Sequence, residues 1–369
     1  MPQNLPEKIL SAHCGREVHA GDTVIAQLDL VMAHDTTCAW AIDPFEEIAE
    51  KVFDPEKIVI PFDHAFPAPS TAMAKLQHKI RRFAKEQGLS IRTDGVCHQL
   101  LAEDYIEPGM LVLGADSHTP TGGGLGALTV GVGSTDAAVA LATGKNWFRV
   151  PEVIRIEIEG VLPRGVYAKD VILHIAGMLG TEHCTYKAIE FGGPVVDAWN
   201  VPDRLTLTNL CAELGAKGAV VPSDERTRAY LESHGRGDRW KANGPDEGAA
   251  YCERITVDVS DLVPTVACPH DIDQEAAVSE IAGRRVDQVF IGSCTNCRIE
   301  DLRIVRSIWE GRQLDPDLRV VITPASRRVY LQAMEEGLIE FFMEKGAVIT
   351  NPGCGACLGR QGGVLDDGE

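Results

Sequence analysis

Apolar runs of four or five residues recur along the chain, and each closes on a cluster of polar residues. Ile58-Val59-Ile60-Pro61-Phe62 stops at Asp63-His64, Leu111-Val112-Leu113-Gly114 at Asp116-Ser117-His118, and Val289-Phe290-Ile291-Gly292 at Ser293-Cys294. Unbroken apolar runs of this length read as strands buried on both faces. Longer segments of helical period lie between them: Thr71 to Gln87, Ala168 to Leu179, Ile299 to Gly311 and Arg327 to Lys345. Strands alternating with helices predict α/β units with parallel sheets and right-handed crossovers. In such sheets the residues that follow the strands gather at one carboxyl edge, where ligands bind.

The remaining chain fits the same scheme. A helix is expected from Asn4 to Cys14 and an alternating strand from Asp22 to Leu28, followed by the polar stretch that holds His34 and Asp35. Pro151 to Gly160 alternates and opens a second unit. Within Arg204 to Gly215, Asn209 and Glu213 lie four apart, the spacing of neighbours on one helix face. Residues 233–248, charged and glycine-rich, read as a surface loop or mobile insertion, and Pro264 and Pro269 mark a linker. The expected units are 1–150, 151–268 and 269–369. The run Gly122-Gly123-Gly124-Leu125-Gly126 has neither the Gly-Lys-Ser/Thr ending of a phosphate loop nor dinucleotide spacing. Close backbone approach or positive φ is its expected use, and its N–H groups could also meet a carboxylate.

Composition narrows the function. With 54 acidic against 35 basic residues the net charge is −19, which argues against a nucleic-acid partner, because phosphate contacts need clustered Lys and Arg. No apolar run reaches the ~20 residues that span a bilayer, and no targeting pattern opens the sequence. Eleven cysteines without a secretion signal point to thiols in a reducing cytoplasm.

Two cysteine words stand out, Cys294-Thr295-Asn296-Cys297 and Cys354-Gly355-Ala356-Cys357. Each follows a predicted strand of one parallel sheet, so both reach the same crevice. Four thiolates would suit tetrahedral zinc, although far more chain separates the pairs than the ~15–20 residues of a zinc ribbon. Three would suit an iron–sulfur cluster with one iron left open as a Lewis acid. Small buried cysteines or a redox pair remain the plain alternative. Four histidines also follow strands or turns (His34, His64, His98 and His118), with Asp35, Asp63, Asp116 and Glu213 as possible partners. A carboxylate beside an imidazole raises its pKa and makes a tunable acid.

The words Ser-Cys-Thr-Asn, Asn-Pro-Gly-Cys-Gly-Ala-Cys-Leu-Gly and, upstream, Gly114-Ala-Asp-Ser-His-Thr-Pro-Thr-Gly-Gly-Gly-Leu-Gly126 resemble the signatures of the aconitase family. They are most similar to the cluster-bearing large subunits of its isopropylmalate and homoaconitate branches. The resemblance implies a three-layer α/β/α fold with several parallel-sheet domains around a central cleft. It implies a [4Fe-4S] cluster on Cys294, Cys354 and Cys357. Asp63-His64 would protonate the departing hydroxyl, His98 would pair with Asp116 and His118 with Glu213. His34, Asp35, Ser117 and Asn209 would face substrate or cluster. The implied activity is a hydro-lyase isomerising a hydroxy di- or tricarboxylate. 3-Isopropylmalate, in leucine biosynthesis, is the favoured substrate, with homoaconitate and citraconate or dimethylmalate types as alternatives. A catalytically incomplete chain or a non-enzymatic protein is the less favoured reading. The implied partner is a small subunit that brings a swivelling domain, the serine base and an arginine.

Three departures from the family pattern follow. Cys297 stands where a small Gly or Ser is usual, and Cys38 is likewise unexpected. The sequence also ends at Asp366-Asp367-Gly368-Glu369, before the family's Asn-Arg-Asn-Phe-x-Gly-Arg word, whose arginines bind carboxylate. Weaker hold on a dianion is the expectation if the native protein ends there, and a longer native protein that carries the word is the alternative.

Overall fold

The computed structural model describes residues 1–369. Its first sheet has five parallel strands in the spatial order Ile91–Arg92, Ile58–Pro61, Leu30–Met32, Leu111–Gly114, Leu128–Gly131. Apart from the short edge strand Ile91–Arg92 these strands are almost wholly buried, because helices cover both faces. Leu5–Cys14, Thr37–Ile48, Thr71–Gln87 and Ser134–Thr143 pack one core. Cys97–Asp104 and Val201–Asn209 pack the other. The chain runs outward from Leu30–Met32 on one side and returns to Leu111–Gly114 on the other. The order therefore reverses between these two strands, which pair Met32 with Gly114. A crevice opens at the carboxyl ends of strands at such a reversal. His34 follows one strand there and Asp116 the other.

A second parallel sheet orders Gly218–Val220, Ala188–Gly192, Val153–Glu159 and Glu253–Asp258. A third orders Gln288–Ile291, Arg319–Ile322 and Val348–Ile349, again parallel. This is the expected α/β architecture, and both cysteine words leave carboxyl ends of the third sheet. A ribbon pairs Thr23–Gln27 with Lys145–Arg149. No helix is long and apolar enough to cross a membrane.

Four local expectations change. The helix expected from Arg327 to Lys345 is two, Arg327–Glu335 and Leu338–Glu344, because Gly337 takes φ 70° and breaks the ladder. The α-helix through Asn209 tightens to a 3₁₀ turn at Leu210–Leu214, so Asn209 and Glu213 do not share one regular α-helical face. Residues 233–248 are pinned: Arg236 donates to the carbonyls of Ala102 (2.6 Å) and Ile106 (2.9 Å), and Asn243 to Gly126 O (2.7 Å). Where a linker was expected at Pro264 and Pro269, a hairpin of Thr265–Ala267 with Glu275–Ala277 packs on the helix Ala168–Leu179.

Candidate active site

Asp116 is the hub of the crevice. Its Oδ1 accepts from His98 Nε2 (2.8 Å) and from the main-chain N–H of His118 (2.8 Å). Its Oδ2 lies 3.1 Å from His64 Nε2 and 3.4 Å from His34 Nε2. Burial favours the neutral acid, but the charges and hydrogen bonds of His98, His64 and His34 outweigh it. The carboxyl stays well below its ordinary value.

His64 also meets Asp63, Nδ1 to Oδ1 at 2.9 Å, so both ring nitrogens face carboxylates. Burial works to lower the imidazole, but Asp63 and Asp116 together push it up to about 11. Burial likewise works to raise Asp63, and the His64 charge and hydrogen bond hold it down at about 2. His64 is therefore an imidazolium at neutral pH. The His34 ring stacks on it at 3.7 Å, tilted 12°. Across the crevice His118 Nε2 lies 3.0 Å from Glu213 Oε1. That bond, with the Asp116 charge, raises His118 against the burial that would lower it.

The three thiols expected to act together do meet. Cys354 and Cys357 are within hydrogen-bonding reach of each other, Cys294 feels the Cys357 charge, and its own charge is felt at Cys354. The bond from Cys354, with Ser293 and the His118 and Lys169 charges, pulls Cys357 below the ordinary thiol range while Cys354 is pushed up. Asn209 Nδ2 donates to Cys294 Sγ at 3.2 Å and to Thr121 Oγ1 at 2.7 Å. Three converging thiols, with amide and hydroxyl donors around them, are a donor set suited to an iron–sulfur cluster.

Not every expected residue faces the crevice. Asp35 is turned inward: it accepts from the main-chain N–H groups of His64 (3.0 Å) and Ala65 (2.9 Å) and from Gln77 Nε2 (3.2 Å). Its oxygens are spent on the loop that carries His64 and are not offered to a ligand. Ser117 is exposed at the rim, 3.4 Å from His118 Nδ1. Cys297 does not join the other thiols. It packs with Ile299, Leu302 and Ile322, and burial pushes it well above its ordinary pKa. Its φ is 71°, a conformation glycine adopts freely, which accounts for the small residue usual there. Cys38 is likewise core, with burial pushing its thiol up to about 12. The glycine run is packing, not an anion loop: a Cβ on Gly123 would strike Ala219 O, and one on Gly124 would come within 2.8 Å of the Arg204 main chain.

Cys97 was missed. Fully buried, its main-chain N–H donates to Asp63 Oδ2 at 2.7 Å, and its Sγ lies within 4.8 Å of ligand atoms of His64 and Asp116. The neighbouring His98 was its only signal in the sequence.

The chain matches the profile of the Aconitase family (aconitate hydratase) over residues 7–285 and 275–369. It belongs to the aconitase family. Within the family it is 48% identical to the 3-isopropylmalate dehydratase large subunit of Elusimicrobium minutum, over 100% of this chain and 89% of that one. It is 46% identical to 3-isopropylmalate dehydratase large subunit 1 of Thermotoga maritima, with the same two shares. The probable methanogen homoaconitase large subunit of Methanothermobacter thermautotrophicus is 44% identical over 99% of this chain and 88% of that one. Among solved structures, the holo-form of Thermococcus kodakaraensis aconitase X shares the fold at TM-score 0.56 and 15% identity. That match covers 89% of this chain and 79% of that one.

Proposed function

We propose that the chain is the cluster-bearing large subunit of a 3-isopropylmalate dehydratase, a cytoplasmic hydro-lyase of leucine biosynthesis that works with a small subunit. One observation carries the reading: three thiols from one sheet and the Asp63–His64–Asp116 chain from another meet at the carboxyl edges of both. Relatives of that name, similar along the whole chain, set the substrate. The division 1–150, 151–268 and 269–369 then has a chemical sense. The first unit brings the histidines and their carboxylates, the second Asn209 and Glu213, and the third the thiols.

Cys294, Cys354 and Cys357 would hold a [4Fe-4S] cluster, which when bound supplies a Lewis-acid iron to polarise the substrate C–O bond. His64 enters the reaction protonated and gives its proton to the departing hydroxyl, with Asp63 fixing the ring through Nδ1. Asp116 orders His98, His64 and His34 around the same point, and Glu213 orients His118. Asp35 positions the His64 loop. Asn209 stabilises the charge on Cys294. The base that removes the carbon-bound proton would come from the small subunit.

The test is anaerobic purification with iron and acid-labile sulfide analysis, followed by turnover of 3-isopropylmalate with and without the small subunit. About four irons per chain and activity only with the partner support the reading. Stoichiometric zinc, or full turnover by the chain alone, overturns it.

A further inference from the structure

Arg298 follows Cys294 by one helical turn's worth of chain and is 3% exposed. Its guanidinium donates to Cys294 O (3.1 Å), Thr295 O (2.7 Å), Gln99 Oε1 (2.9 Å), Thr206 Oγ1 (3.3 Å) and Pro202 O (3.5 Å). All five acceptors are neutral, and no carboxylate oxygen lies within 4.0 Å of the guanidinium. Gln99 sits one residue from His98 on the helix Cys97–Asp104, and Thr206 shares the helix Val201–Asn209 with Asn209. One side chain therefore ties the Cys294 loop to the two helices that carry other residues of the site.

The charge calls for its own explanation. Removing a guanidinium from water is costly unless a negative group answers it. Nearby acids are engaged elsewhere: Asp301 accepts from Arg298 N (2.8 Å) and Asn296 Nδ2 (3.0 Å). Asp203 feels the guanidinium charge, which works against the burial and the Asp301 charge that raise it to about 6, but none of its oxygens lies within 4.0 Å of the fork. A [4Fe-4S] core held by three thiolates is an anion, and Cys294 is one of the three.

We infer that Arg298 is a positioning residue that clamps the Cys294 loop onto the helices of His98 and Asn209 and whose buried positive charge answers the cluster's negative charge. The inference rests on the ligand set proposed above. A fixed positive charge favours the more negative, reduced state, so it raises the reduction potential. Separate nitrogens of the planar fork donate to the Thr295 and Cys294 carbonyls, an arrangement that lysine's single ammonium does not reproduce.

The experiment uses the reconstituted full chain, with two readouts besides activity: the cluster's midpoint potential in an EPR-monitored titration, and iron release to a chelator. Arg298→Gln is expected to lower the potential and speed iron loss by about 10–100-fold, the usual cost of losing a group that supports a metal ligand. Arg298→Lys is expected to keep the potential near wild type while losing iron faster. Should Arg298→Gln not fold, Thr206→Asp sets a carboxylate against the fork and is expected to lower the potential in its place. An unchanged potential in the neutralised variant overturns the charge assignment, and wild-type iron retention in Arg298→Lys overturns the clamp. Wild-type protein that takes up no iron fails the ligand set itself, a distinct result.

Discussion

The main-chain N–H of Cys354 donates to the main-chain oxygen of Asp63 at 2.8 Å, while the side chain of Asp63 holds His64. Gly353 makes the approach possible, since a Cβ there would come within 2.9 Å of the same oxygen. The second cysteine loop and the acid pair, far apart in sequence, are thus joined through a single residue. Its backbone serves the thiols and its side chain serves the imidazole. That separation allows the two roles to be tested apart.

Asp63→Asn keeps the backbone bond. Its amide oxygen can still accept from Cys97 N, which leaves the NH₂ group facing His64 Nδ1 and forces that nitrogen to become an acceptor. His64 then loses its imidazolium form. Turnover is expected to fall by about 10²–10⁴, the range for a general acid, with iron content unchanged. Loss of iron from the variant would instead make Asp63 structural.

Glu213→Gln is the milder counterpart. Glu213 is half exposed, and its bond to His118 is partly screened. A fall in turnover of about tenfold is expected, with the His118 titration, followed by NMR, moving down. An unmoved titration would mean the pair does not set His118.

Much of this was legible in the sequence because strand periodicity and chemistry coincide. The runs at Ile58, Leu111 and Val289 are strands, and Asp63-His64, Asp116 and Cys294 sit where parallel strands must deliver them. The pairs His98–Asp116 and His118–Glu213 were expected from resemblance. What stayed hidden depends on side-chain direction. Nothing in a linear pattern reveals that Asp35 turns inward, that His34 and His64 stack, or that Asp116 answers three imidazoles. Helix breaks were hidden too: Gly337 sits inside an apolar periodicity that continues across it, so the period alone reads one helix where the backbone makes two.

Gly123 separates the packing account of the glycine run from the anion account. A methyl group there meets the main-chain oxygen of Ala219, which cannot move without disturbing its own strand, Gly218–Val220. Gly123→Ala is therefore expected to cost about 3 kcal/mol or more, as overpacking against rigid backbone does, and to yield poorly soluble protein. A stable Gly123→Ala with only weaker substrate binding would restore the anion account.

At Cys297 two small effects oppose each other. A non-glycine residue at φ 71° pays roughly 1–2 kcal/mol, and burying a thiol in the core returns about 1 kcal/mol. Cys297→Gly is expected to change stability by less than about 1 kcal/mol and to leave the iron content intact. Cys297→Val, β-branched in the same conformation, should lose about 2 kcal/mol. Chemical denaturation of the two variants checks this, and loss of iron from the glycine variant would make Cys297 a ligand.

The last test lies far from the crevice. His13 ends the helix Leu5–Cys14, with Nδ1 2.6 Å from Ile9 O and Nε2 2.6 Å from Asp29 Oδ2. Both nitrogens face acceptors, which favours the imidazolium form, and the negative end of the helix dipole favours the charge as well. Burial works to lower His13, but Asp29 and the Ile9 carbonyl outweigh it, and its pKa is raised above 6.5. The unfolded chain titrates near 6.5. The pair's contribution is therefore fully present below that value and is lost as pH rises through the raised folded value. Asp29 is lowered against its own burial by the same bond and that of Leu111 N. Its share is present above its ordinary carboxylate value and fades only as pH falls through the lowered one. Charged hydrogen bonds contribute about 1.5–3 kcal/mol, less when partly exposed, so His13→Ala is expected to cost about 1 kcal/mol near pH 5.5. The gap between variant and wild type should narrow steadily in urea melts taken at higher pH. A gap that widened with pH would mean the folded protein holds His13 neutral.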